Sequence, residues 1–142
     1  MTTCVLIVDD STMVRMMVRE ALAADGYQIQ EACDGRAALA LVKTVTPNLV
    51  VTDINMPEMD GISLIRALRD LPEHRMTPIL VLTSEAGDDI IRNGKNAGAT
   101  GWLVKPFDAD QLRSTARYVL ELHRKALGKK AAPNGLSEGA SA

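Results

Sequence analysis

Five polar residues stand out because each follows an apolar run: Asp9 and Asp10, Asp53, Thr83 and Lys105. The runs are Cys4-Val5-Leu6-Ile7-Val8, Leu49-Val50-Val51, Pro78-Ile79-Leu80-Val81-Leu82 and Trp102-Leu103-Val104. Short runs of this kind, ended by turn-forming or polar residues, read as buried strands. In an open parallel sheet, ligands bind outside the carboxyl ends of the strands. Three carboxylates converging on that edge repel one another unless a cation lies among them. Asp9, Asp10 and Asp53 offer only oxygen donors, with no His and no suitably placed Cys. Such hard ligands suit Mg²⁺, which keeps several waters and often co-ordinates a phosphate. Thr83 could hydrogen-bond a phosphate oxygen, and Lys105 would supply compensating positive charge. A metal, a lysine and a hydroxyl around one carboxylate meet the needs of phosphoryl transfer, with Asp53 as the nucleophile that forms an acyl phosphate. Each residue alone also has a plain structural reading: Asp9-Asp10 as a turn and cap, Thr83-Ser84 as a cap, Lys105 as a solvated lysine. It is the combination that points to chemistry.

These residues need elements to hold them. After Asp9-Asp10, Ser11 can cap a helix whose apolar positions Met13, Val14, Met17, Val18, Ala21 and Leu22 fall at helical spacing. Asp25-Gly26 stops it. Tyr27 to Ala32 alternates apolar with polar, which predicts a strand at a sheet edge with one face toward water. A helix is expected over Gly35 to Val45, then the strand ending in Asp53. Ile62, Leu64, Ile65, Leu68 and Leu71 make another helix, closed by Pro72. A weaker helix is expected over Ala86 to Ala97, because Gly94 lowers its propensity. Asp108 caps a last helix to Leu127. Residues 128–142 are small and polar without period, which reads as a disordered tail after a domain spanning 1–127. Five β-then-α units in alternation imply an α/β fold: a doubly wound parallel sheet with helices on both faces.

The bulk composition removes other classes. Sixteen basic and eighteen acidic residues give a net charge of −2, without a long run of either sign. That offers no nucleic-acid or membrane surface. Aromatics are only 3% of residues, too few for a set of base-stacking platforms. No apolar run approaches the roughly 18 residues of a membrane helix, so the expectation is a soluble cytoplasmic protein, and a monomer. Cys4 and Cys33 fall near opposite ends of neighbouring strands and read as reduced, packed cysteines. His74 and His123 are expected at the surface, away from the carboxylates. Met13, Met16 and Met17 read as packing residues.

The set Asp9-Asp10, Asp53, Thr83 and Lys105-Pro106 resembles the receiver domain of two-component response regulators, over about Val5 to Leu127. The resemblance implies a flavodoxin-like, CheY-like sheet of order 2-1-3-4-5 with five helices. It implies that Asp53 accepts phosphate from a histidine kinase, CheA-like in the chemotaxis case. Asp10, Asp53 and the main-chain carbonyl of Asn55 would hold Mg²⁺, with Asp9 acting through water. Thr83 and Lys105 would engage the phosphoryl group, and the bond before Pro106 would be cis. Trp102 takes the place of the family's switch aromatic, where Tyr or Phe is commoner. Asn55 and Glu85 match the pair that tunes dephosphorylation in the chemotaxis regulators, so a single-domain CheY-like regulator is the subtype expected.

On this reading phosphorylation exposes a face made by the helix after Ala86, the Trp102 strand and the last helix, with Ile91, Lys95 and Trp102 as its candidates. The partner would be an output protein such as the flagellar motor switch protein, or a phosphatase. Such a protein is a switch rather than an enzyme, catalysing only its own phosphorylation and dephosphorylation. A phosphate sink or phosphorelay intermediate without motor binding shares the whole site. Two further readings fit less well. An aspartate-nucleophile phosphatase of the haloacid dehalogenase type wants Asp-x-Asp after the first strand. A flavodoxin-like carrier would suffer repulsion between Asp9-Asp10 and a flavin phosphate.

Overall fold

The structure is a computed structural model that describes residues 2–57, 59–84 and 87–131, with side chains described to residue 127. Strands β1 (Cys4–Val8), β2 (Gln28–Ala32), β3 (Leu49–Asp53), β4 (Ile79–Thr83) and β5 (Gly101–Val104) alternate with helices α1 (Thr12–Ala23), α2 (Gly35–Leu41), α3 (Gly61–Arg69), α4 (Asp88–Ala97) and α5 (Ala109–Ala131). A 3-10 turn, Pro72–His74, lies between α3 and β4. All strand pairs are parallel, in the order β2-β1-β3-β4-β5. The doubly wound parallel sheet expected from the sequence is therefore the fold observed, with the half-polar β2 at an edge.

Because successive side chains of a strand point to opposite faces, each apolar run feeds two cores. Val5, Ile7, Leu49, Val51, Leu80 and Leu82 pack with Val18, Leu22, Leu112 and Val119 of α1 and α5. Leu6, Val8, Val50, Ile79 and Val81 pack with Leu64, Ile65 and Leu68 of α3 and Ala97 of α4. This double layer fixes the strand register, since a one-residue slip would exchange the two faces. No helix among the described residues is long and apolar enough to cross a membrane.

Several boundaries differ from those the sequence predicts. Helix α2 ends at Leu41 rather than Val45, and residues 43–45 form turns on the carbonyls of Ala40 and Leu41. The Thr44 hydroxyl takes one of those carbonyls at 3.2 Å, and β-branched residues ahead of Pro47 disfavour further helix. Helix α5 runs through Gly128 to Ala131, beyond the expected end at Leu127. Residues 128–131 are thus helical rather than part of a tail, and residues 132–142 lie outside the described residues. His74 is buried rather than at the surface, with its Nδ1 3.0 Å from the Thr77 hydroxyl. Cys33 is exposed rather than packed, whereas Cys4 is half-buried, and both thiols are free.

Candidate functional site

Each site residue is placed by a local device. Ser11 caps α1 by accepting a hydrogen bond from the Val14 N–H at 3.2 Å, which turns the chain sharply after Val8 and leaves Asp9 and Asp10 between strand and helix. Asp60 caps α3 through the Ser63 N–H at 2.8 Å. The loop before it folds tightly back on β3. A Cβ at Gly61 would sit 2.2 Å from the Asp53 carbonyl oxygen, so only glycine lets α3 begin against the strand that carries Asp53. On the far side, the Lys105 N–H donates to the Thr83 carbonyl at 2.8 Å, stitching the end of β4 to the end of β5. The Lys105–Pro106 peptide is cis.

The result is an acidic cluster beside one cation. Carboxylate oxygens of Asp9, Asp10 and Asp53 all lie within 4.8 Å of one another. Asp9 and Asp53 are buried and Asp10 is exposed. Lys105 Nζ stands 3.5 Å from Asp9 Oδ2 and 3.5 Å from Asp53 Oδ1. The Asp9 Oδ1 accepts from the Ser11 N–H at 2.8 Å, and the Asp53 Oδ1 accepts from the Ile54 N–H at 2.9 Å. Burial pushes the Asp53 carboxyl above its ordinary value and the Asp9 charge adds to that, against the pull of Lys105 and the Ile54 N–H. The Asp9 Oδ2 is fully buried and accepts no hydrogen bond, with only the longer ion-pair contact to Lys105 Nζ at 3.5 Å.

This donor set fits a hard divalent cation. A buried carboxylate oxygen with no hydrogen bond is costly, and a cluster of three carboxylates against one lysine leaves an excess of negative charge. An oxygen-co-ordinated ion with a partly aqueous shell answers both, and the exposed Asp10 leaves the cluster open to solvent on one side.

The other candidates are placed as follows. Thr83 is buried at the end of β4. Asn55 is exposed, two residues past Asp53. Trp102 is on β5 with its side chain against α4: a Cβ at Gly94 would lie 2.2 Å from the indole Cζ3. Its Nε1 is buried without a hydrogen-bond partner. Lys95 and Trp102 line one surface cavity of about 240 Å³ with Ala99, Thr100 and Gly101. Ile91 is half-buried on α4. Thus Asp9, Asp10, Asp53 and Lys105 converge, whereas Ile91, Lys95 and Trp102 form a separate group on α4 and β5. Glu85 lies outside the described residues.

The sequence reading missed Arg15. Its Nη1 donates to the Asp9 carbonyl at 2.6 Å, directly behind the acidic cluster. An arginine four residues past Ser11 reads as an ordinary helix-surface residue, and no sequence signal separates it from Arg19.

Comparison with known proteins places this geometry. Residues 5–117 match the family model described as the response regulator receiver domain. The chain is 39% identical over 118 residues to chemotaxis protein CheY-3 of Vibrio cholerae, covering 82% of this chain and 91% of that protein. It is 33% identical over 118 residues to sporulation initiation phosphotransferase F of Bacillus subtilis, covering 83% of this chain and 94% of that protein. The structure of the chemotaxis response regulator CheY4 of Vibrio cholerae superposes with a TM-score of 0.81 at 41% identity, covering 84% of this chain and 99% of that one. The chain spans only 25% to 52% of the length of several longer regulators that it also matches.

Proposed function

This chain belongs to the response regulator receiver domain family, and from that premise we propose that it is a CheY-like phosphoacceptor switch, phosphorylated on Asp53 by a histidine kinase in the presence of Mg²⁺. The observation that carries the reading is the cluster itself: three carboxylates within 4.8 Å of one another, one lysine 3.5 Å from two of them, and a buried carboxylate oxygen that accepts no hydrogen bond. In this reading Asp10, Asp53 and the Asn55 carbonyl hold the ion, with Asp9 acting through water. Bound Mg²⁺ supplies charge neutralisation on the phosphoryl oxygens.

The chain's own groups supply the rest. An Asp53 carboxylate oxygen attacks the phosphorus of a phosphohistidine as the P–N bond breaks. The electron pair stays with the imidazole nitrogen, which takes a proton from water. Lys105 neutralises the charge added at Asp53, and the Thr83 hydroxyl donates to a phosphoryl oxygen.

The output is a change on the α4–β5–α5 face, whose elements carry Ile91, Lys95 and Trp102 as well as exposed Val104 and Tyr118. A chemotaxis role, with a flagellar motor switch protein as partner, rests on the likeness to CheY-3 along nearly its whole length. The equally complete match to a sporulation phosphotransferase favours one second reading, a phosphorelay intermediate with no motor partner. The cytoplasm is the compartment this role requires.

The test is intact mass after incubation with acetyl phosphate and Mg²⁺. Wild type gains one phosphoryl group; Asp53→Asn gains none, and EDTA removes the gain. Label on Asp53→Asn, or none on a folded wild type that binds Mg²⁺, would overturn the assignment. Transfer of the label onward to a second histidine-containing protein would favour the relay over the switch.

A further inference from the structure

The three carboxylates are not held alike. Asp9 is fixed by the Ser11 N–H and faces Lys105, and Asp53 is fixed by the Ile54 N–H and Lys105. Asp10 is exposed, and no hydrogen bond or ion pair to its carboxylate is found among the described residues. Its position therefore depends on the backbone that carries it. The carbonyl of the peptide joining Asp9 to Asp10 is the one that Arg15 Nη1 grips at 2.6 Å. Arg15 is in turn anchored: its Nε lies 3.2 Å from Glu31 Oε1 on the edge strand β2, and Nη2 reaches the Thr12 hydroxyl at 3.4 Å. Arg19 binds the other oxygen of Glu31. The Arg15 side chain is only 16% exposed, so this fork is an enclosed strut between β2 and the acidic loop.

We propose that Arg15 is a positioning residue for the divalent cation: by fixing the Asp9–Asp10 peptide plane it sets where the Asp10 carboxylate points, and so raises cation affinity. The inference rests on the function proposed above. Its sign separates it from simple electrostatics. A guanidinium beside an acidic cluster repels a second cation, so charge alone predicts that removing Arg15 tightens binding. Positioning predicts the reverse, because a loop released from its strut no longer presents Asp10 toward Asp53, and outer supports of this kind are worth about 10–100-fold in metal affinity. A role confined to packing α1 against β2 predicts lower thermal stability with no change in affinity.

The experiment is calorimetric titration of the full chain with Mg²⁺, without a phosphodonor, for wild type, Arg15→Ala and Arg15→Lys. The expected result is a dissociation constant about tenfold higher for Arg15→Ala. Arg15→Lys keeps the charge but cannot fork between the Asp9 carbonyl and Glu31, and its constant also rises. In acetyl phosphate labelling, the Mg²⁺ concentration for half-maximal labelling shifts by the same factor, while labelling at saturating Mg²⁺ reaches the wild-type level. Unchanged or tighter Mg²⁺ binding by Arg15→Ala would overturn the inference, as would labelling that excess Mg²⁺ does not restore. If Arg15→Ala lacks a cooperative unfolding transition, Arg15→Lys alone decides by the same criterion. A wild type that neither binds Mg²⁺ nor labels would overturn the proposed function instead, so the two failures are distinguishable.

Discussion

The two ends of the sheet treat buried charge in opposite ways. At the carboxyl end, Asp9 and Asp53 are brought together against a single lysine at 3.5 Å, and one carboxylate oxygen is left without a hydrogen bond. At the amino end, the half-buried Arg69 guanidinium meets no carboxylate among the described residues, and its partners there are carbonyls. Its Nη1 donates to His74 at 2.8 Å and Thr77 at 2.6 Å, and Nη2 donates to Gly98 at 2.7 Å. Those carbonyls belong to the 3-10 turn, the approach to β4 and the C-cap of α4, so one side chain ties three segments to the end of α3. Gly98 takes φ +117° there, and a Cβ would meet Arg69 Nε at 2.8 Å. Satisfied burial holds the fold. Unsatisfied burial is held in place by the fold and is available for a ligand.

The largest expected effect tests the satisfied end. Arg69→Met leaves three partly buried carbonyls without this donor, at about 1–3 kcal/mol for each unsatisfied group that water does not reach. Allowing for partial hydration, a total loss of roughly 2–4 kcal/mol is expected in urea unfolding. Mg²⁺ affinity should stay at the wild-type value. A large loss of Mg²⁺ binding in a folded Arg69→Met protein would break the division between the two ends.

The converse substitution is Asp53→Asn, which removes charge from the strained end. Stability should rise by about 0.5–2 kcal/mol in metal-free buffer, the usual range when a functional group held at a cost is replaced. The sign with pH follows from the raised Asp53 carboxyl. The folded state holds that proton more tightly than the unfolded one, so wild type gains stability from this group as pH falls through the raised value toward the ordinary 3.8. The advantage of Asp53→Asn should therefore be full at neutral pH and shrink on acidification within that window. Thermal melts across pH 7 to 4 in EDTA check it; an advantage that grows toward acid would refute the account.

Much of this was legible in the sequence, and the exceptions share a cause. The strands and the acidic cluster could be read because apolar runs end in specific polar residues, a one-dimensional pattern. Arg15, Arg69 and His74 could not, because their partners are main-chain carbonyls or a hydroxyl whose orientation exists only after folding. His74 was expected at the surface because it falls in a loop away from the carboxylates, but the 3-10 turn directs its ring inward to Thr77. Gly61 and Gly94 were visible as glycines, yet what each makes room for was not. Gly94 reads as a weak point in a helix when it is the floor of a seat.

Only two buried side-chain polar atoms among the described residues lack a hydrogen bond, Asp9 Oδ2 and Trp102 Nε1, and the second belongs with the first rather than with Arg69. The indole rests on α4 where Gly94 has no Cβ, gaining apolar contact with the core while its N–H goes unpaired. Outside the seat the N–H would be hydrated but the ring would lose its apolar contacts, so the two placements carry opposing costs. Gly94→Ala should tip that balance outward, since a Cβ 2.2 Å from Cζ3 cannot coexist with the seated ring. Stability should change least of the three substitutions, by roughly 1 kcal/mol or less, because overpacking is relieved as the ring leaves and alanine improves the helix by up to about 1 kcal/mol. The readout is Trp102, the sole tryptophan: its emission should shift to the red and become accessible to iodide. A blue-shifted, shielded indole in a folded Gly94→Ala protein would mean that α4 yields instead of the ring, and that the seat is packing alone.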